Sequence, residues 1–119
     1  MSQGPRRHIR IEIVDGVTVV SFVESKIVTE ENIQEVGDQL YSLVEDEGHK
    51  SLLLNFGNVQ YLSSAALGKL ITLHRKLQAV QGKLVLCKIA KDILDVFKIT
   101  KLDRILTITP DEQSGLQSF

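Results

Sequence analysis

Two adjacent serines, Ser63 and Ser64, are the residues of this sequence best placed to do chemistry, because they stand where an apolar run gives way to a helical pattern. From Ala66 the apolar residues recur at Leu70, Leu73, Leu77 and Val80, in alternating steps of four and three, with Leu67 and Ile71 widening the stripe. That is the buried face of a helix. A helix start leaves N–H groups unpaired and carries a partial positive charge, so a serine there caps the helix and a phosphate there is electrostatically favoured. As a plain N-cap, either Ser63 or Ser64 contributes about 1 kcal/mol. One serine suffices for capping, and the apolar neighbours Tyr61 and Leu62 suggest a presented surface.

No catalytic constellation accompanies the pair. The serines are followed by Ala65 and Ala66, not by the glycine of a G-x-S-x-G nucleophile elbow, and no histidine pattern marks a base. His8, His49 and His74 are scattered, without a second ligand at metal-binding spacing. Cys87 falls in a run that reads as a buried strand, where a thiol serves as a small hydrophobe. Neither G-x-G-x-x-G nor the P-loop pattern occurs, and Gly48, Gly57, Gly68 and Gly82 read as element ends and close-packing points. An enzyme, a metal site and a cofactor are not expected.

The elements that position the serines come from a chain of 119 residues, 43% hydrophobic and 24% charged, the size of one globular domain. Fourteen basic and fifteen acidic residues leave a formal charge of -1, which gives no electrostatic reason to bind nucleic acid. A single cysteine, no signal-peptide pattern and no apolar run long enough to cross a bilayer point to the cytoplasm, without membrane insertion.

Met1 to Arg7 reads as a frayed terminus. His8 to Val14 alternates, with Ile9, Ile11 and Ile13 on one face and His8, Arg10 and Glu12 on the other, and Asp15-Gly16 turns it into the strand Val17 to Val23. Glu24 to Val28 carries no assignment. Thr29 is the expected N-cap of a helix with Ile33, Val36, Leu40, Leu43 and Val44 inside, an acidic outer face read as solvated, and Gly48 at its end. Ser51 to Phe56 is too uniformly apolar for a one-sided strand and reads as a central strand covered on both faces. The serine helix runs from about Ser64 to Gln81 and is stopped by Gly82. Lys83 to Cys87 is a strand, Ala90 to Ile99 a shorter helix, and Leu102 to Ile108 a turn and an edge strand, after which Pro110 and a polar tail end the pattern. The expected class is α/β, a mixed sheet with helices packed against it in the order β-β-α-β-α-β-α-β. One domain spans 1–119, with an ordered core of about 8–109. The serines then lie at the carboxyl edge of the sheet, where ligands and partners commonly bind.

This order of elements, together with Leu52-Leu53-Leu54-Asn55-Phe56, Val59, Leu62-Ser63-Ser64-Ala65-Ala66-Leu67-Gly68 and Gly82-Lys83-Leu84-Val85-Leu86, resembles the STAS domain of bacterial anti-sigma factor antagonists. The segment around Ser63-Ser64 is similar to that family's Asp-Ser-Ser/Thr-Gly-Leu-Gly signature, and Ile99-Thr100-Lys101-Leu102-Asp103-Arg104 to its Thr-Gly-Leu-like segment. The resemblance implies a cytoplasmic switch in signal transduction and transcription regulation. Its partner is an anti-sigma factor, a serine kinase of the anti-sigma type, which phosphorylates a serine and so loses its grip, and a serine phosphatase restores binding. By motif position the phosphoacceptor is Ser64, with Ser63 as the adjacent alternative. The implied partner-binding residues are Gln60, Tyr61, Leu62, Ser63, Ser64, Ala65 and Lys69.

The chain departs from the signature at Leu62, where the family has aspartate, and at Ala65, where it has glycine. Glu24 to Thr29 also lacks the family's Gly-x-Leu-Asp pattern. A more apolar corner supports the alternative of an unphosphorylated STAS-type scaffold or transporter-associated interaction subunit. A homodimer through a sheet edge stays open, and small-ligand binding at the same edge has no feature beyond the fold to support it.

Overall fold

A computed structural model describes residues 8–119, so the frayed terminus expected for Met1 to Arg7 lies outside the described residues. β1 (Ile9–Val14) and β2 (Val17–Phe22) form the expected antiparallel hairpin. Its turn residues Asp15 and Gly16 take positive φ of 52° and 81°, the left-handed geometry that joins two twisted strands through two residues. β3 (Lys26–Ile27) leads into α1 (Glu30–Glu45), which starts at Thr29, whose hydroxyl accepts the Asn32 N–H. β4 (Ser51–Asn55), β5 (Tyr61–Leu62), α2 (Ser64–Ala79), β6 (Lys83–Cys87) and α3 (Lys91–Ile99) follow. A 3-10 turn (Leu102–Arg104), β7 (Thr107–Thr109) and α4 (Glu112–Leu116) end the chain.

The main sheet has the order β1-β2-β4-β6-β7, antiparallel only at β1 and parallel from β2 onward. The sheet and its three long helices keep the expected order. β4 is central, and Leu52, Leu53 and Leu54 are fully buried because the two faces of the sheet are both covered. On one face Leu52, Leu54 and Leu86 pack with Leu40 and Leu43 of α1, Leu70, Leu73 and Leu77 of α2, and Phe97 of α3. Each such side chain removed from water contributes roughly 1.5–3 kcal/mol. On the other face Val17, Val19, Leu53, Val85 and Cys87 form a smaller cluster with Leu116 of α4.

Several expectations are corrected. The polar tail after Pro110 does not end the pattern: Asp111 accepts the Ser114 N–H and caps α4, whose Gly115 lies against Leu53. Five residues are too few to show a helical period, so the tail carried no signal. The inward row of β1 fades from Ile9, buried, to Ile13, 58% exposed, because the cover of this outer strand does not reach its hairpin end. Val96 and Ile99 are likewise exposed, so the apolar run of α3 is wider than the face it buries, and Ile105, after the 3-10 turn, is exposed as well. Nor does Gly82 terminate α2 by its conformation. Gln81 takes the left-handed φ of 61°, and Gly82 is needed because a Cβ there would lie 2.4 Å from the Lys50 carbonyl oxygen at the entry to β4.

Gly82 and Gly68 therefore respond oppositely to the same substitution. Gly82→Ala forces backbone against backbone and lowers stability by about 2 kcal/mol. Gly68, inside α2, has nothing within 4 Å of an added Cβ, so Gly68→Ala raises stability by about 0.5–1 kcal/mol. Urea denaturation of the two variants measures both signs.

Candidate functional site

The start of α2 is held by a two-stranded ladder that no local sequence pattern announced. β3 and β5 pair in parallel, Lys26 against Tyr61 and Ile27 against Leu62. The Ser25 carbonyl accepts both the Gln60 N–H at 2.7 Å and the Tyr61 N–H at 3.1 Å, and the Ile27 carbonyl accepts the Ser63 N–H at 3.1 Å. Asn58 closes the approach from β4 by donating to the carbonyls of Phe22 and Val23. The backbone entering α2 is thus bonded to the segment entering α1, which places the two helix starts side by side.

The two serines have different tasks in this geometry. Ser63 is the N-cap, extended at φ -81° and ψ 164°, half-buried, with its hydroxyl accepting the Ala66 N–H at 3.3 Å. Ser64 is the first helical residue, exposed, and its side chain makes no hydrogen bond among the described residues. The first turn of α2 has no acidic residue. A negative charge added at Ser64 would therefore meet the positive end of the helix without a like charge in that turn.

The remaining residues of the expected surface divide by burial. Gln60, Tyr61 and Ala65 are exposed, and Lys26 Nζ lies 5.5 Å from the centroid of the Tyr61 ring. Val28 on the facing segment is also exposed. Leu62 is half-buried and packs against the main core instead of facing outward, as its alternation with Tyr61 in β5 dictates. Lys69 is half-buried too. Its stem crosses α1 at Gly37, where a Cβ would meet Lys69 Cδ at 2.9 Å, and its Nζ donates to Gln34 Oε1 at 3.2 Å. Between the helices lies a groove of about 490 Å³ whose walls include Val28, Glu30, Gln34, Ser63, Ala65 and Lys69.

Among the described residues no group of three or more His, Cys, Asp and Glu side chains is arranged to hold a metal ion. Cys87 is fully buried, and burial, with the Glu112 charge beyond it, pushes its thiol pKa up to about 11, which keeps it protonated and unreactive at neutral pH. His8 was expected on the polar face of the first strand. It is instead buried, with Glu24 and Glu35 on its two ring nitrogens. Glu35 is accordingly not a freely solvated member of the acidic face of α1, and neither is Glu45, whose carboxylate meets Lys76 Nζ at 2.6 Å. Nothing in the linear sequence joins residues 8, 24 and 35, and only the folded chain shows them as a unit.

Comparison with known proteins adds four findings. The family model for the STAS domain matches residues 8–115. BtrV of Bordetella bronchiseptica, whose name assigns it provisionally to the anti-sigma factor antagonists, is 25% identical over 111 residues, covering 93% of each chain. Among solved structures, an anti-sigma factor antagonist from Mycobacterium paratuberculosis superposes with a TM-score of 0.80 at 21% identity, over 92% of this chain and 91% of that one. The Bacillus cell fate determinant SpoIIAA in its phosphorylated form gives 0.68 at 17% identity, over 93% and 99%. No helix among the described residues is long and apolar enough to cross a membrane.

Because one serine caps and the other does not, they separate in a stability experiment. Ser63→Ala removes the acceptor for Ala66 N–H and costs about 1 kcal/mol, whereas Ser64→Ala changes stability by less than about 0.5 kcal/mol. Equal losses in chemical denaturation would refute this division.

Proposed function

The chain belongs to the STAS domain family, and on that premise we propose that it is a regulatory docking protein of the anti-sigma factor antagonist type, switched by phosphorylation of Ser64. The observation that carries the reading is the division between the serines: Ser63 is spent on the helix cap, while Ser64 presents an exposed hydroxyl at the first position of α2. Its partner is an anti-sigma factor of the serine kinase type, and a serine phosphatase reverses the mark. The phosphorylated state of the neighbour SpoIIAA supports the same chemistry here.

The physical effect of the mark falls on the interface. A phosphoserine adds about 1.5–2 negative charges at pH 7. At the N-terminus of α2 the fold tolerates them, since unpaired N–H groups and the helix dipole favour an anion there. A partner packed over Tyr61, Ala65 and Val28 must desolvate those charges, and binding weakens. The residues we assign to the docking surface are Gln60, Tyr61, Ser63, Ser64, Ala65 and Lys69. Leu62 supports it from below. On this reading the protein is non-catalytic and works in the cytoplasm as one domain, its two core clusters sharing a single sheet.

A second reading, constitutive docking as a scaffold subunit, is favoured by Leu62 and Ala65 in place of the family's aspartate and glycine and by the exposed apolar pair Tyr61 and Val28. The two readings separate in one set of measurements. The switch requires phosphate on the Ser63–Ser64 peptide, located at Ser64, by mass spectrometry of protein from its native cells. It also requires that Ser64→Glu weaken capture of the kinase-type partner roughly tenfold or more while leaving the melting temperature unchanged or raised. A scaffold stays unmodified and binds equally well as Ser64→Glu, yet loses its partner with Tyr61→Ala.

A further inference from the structure

His8 stands outside the corner yet reaches it through one neighbour. It is 7% exposed, at the entry to β1, and each ring nitrogen faces a carboxylate. Nδ1 lies 2.9 Å from both oxygens of Glu24, and Nε2 lies 2.8 Å from Oε1 of Glu35. An ionised carboxylate only accepts, so both bonds exist together only when both ring nitrogens carry protons. A neutral ring has a single N–H, and its bare nitrogen then confronts a carboxylate lone pair. The main chain fixes the ring's place: the His8 N–H donates to Gln39 Oε1 at 3.2 Å, and the His8 carbonyl accepts the Val23 N–H at 3.0 Å.

Both carboxylates lead to the docking corner. Glu24 immediately precedes Ser25, whose carbonyl seats the N–H groups of Gln60 and Tyr61. Glu35 belongs to α1, next to Gln34, the acceptor for Lys69 on the groove wall. Among the described residues, the charged groups that bear on His8 are Glu24 from the turn after β2 and Glu35 from α1; Gln39 is neutral.

We propose that protonated His8 is a positioning residue of the docking corner, clamping Glu24 to α1 and thereby fixing the Ser25 carbonyl that seats β5. Burial pulls the ring's pKa down, but the hydrogen bonds to Glu24 and Glu35 and their charges outweigh it, and the net shift is upward from 6.5. The clamp is therefore complete below the unfolded value of about 6.5 and is lost as pH rises through the higher folded value.

The consequence for partner binding rests on the docking function proposed above, but the clamp itself is a property of the isolated chain and is tested without a partner. NMR of the full chain follows the His8 ring resonances and the hydrogen-exchange protection of the Gln60 and Tyr61 amides, corrected for intrinsic exchange, from pH 5 to 9. Protection of the two amides is expected to fall roughly three- to tenfold with the His8 midpoint, which lies above 6.5. In Glu24→Gln the midpoint moves down and the fall shrinks, and in His8→Gln no pH-linked step remains. The proposal is overturned if His8 titrates while the two amides do not follow, or if His8→Gln or Glu24→Gln keeps the full step. Because none of these readouts involves phosphate or a partner, loss of the switch reading leaves the clamp standing, and the reverse also holds.

Discussion

Everything at the candidate site depends on where α2 begins, and that point is set from outside the helix. The Ser25 carbonyl takes two N–H groups from residues 60 and 61, and the Ile27 carbonyl takes the one from Ser63. These bonds bring the chain into α2 in an extended conformation and stop it there, so that Ser63 has the backbone angles of an N-cap and Ser64 is the first residue to turn. Were the ladder shifted by one residue, Tyr61 would turn inward and Leu62 outward, since side chains alternate along a strand. The exposed surface of the corner is a register, enforced by two residues on each side.

That enforcement explains how the same spot can be both structural and chemically available. A helix start needs one capping oxygen, and Ser63 supplies it. The next hydroxyl is free of structural duty, yet it sits in the same field of unpaired N–H groups. Behind the site the two helices pack closely. Gly37 lets the Lys69 stem cross α1 closely, and Lys69 and Lys76 lie 6.0 and 5.0 Å from the centroid of the Tyr41 ring.

The central strand β4 supplies the rigid base. Its leucines are buried on both faces, and its last residue, Asn55, bonds outward in two directions, donating to Glu112 of α4 and accepting the Gly57 N–H. The C-terminal helix is thus joined to the loop that leads into β5. The single cysteine lies in the same second-face core beneath α4, as inert packing.

Much of this was legible in the linear sequence, because periodic burial is a local property. Steps of three and four gave α1, α2 and α3, alternation and a two-residue turn gave the first hairpin, and an unbroken apolar run gave the central strand. Ser63 and Ser64 were legible as a helix start, and the motifs around them as those of a STAS domain. What the tertiary structure alone decided lies in pieces too short or too distant to carry a period. β3 and β5 are two residues each, and a pair of residues has no alternation to read. α4 is a single turn of helix defined by the cluster it covers. Which serine caps was settled by a hydrogen bond from Ser63 to the Ile27 carbonyl, 36 positions away. The ring of His8 found its carboxylates at separations of 16 and 27 residues, contacts that exist only once the chain has closed those loops. Sequence by itself determined which segments fold and roughly where they end, through the free energy of burying one face; tertiary contact determined which side chains at the corner are spent on structure and which are left to act.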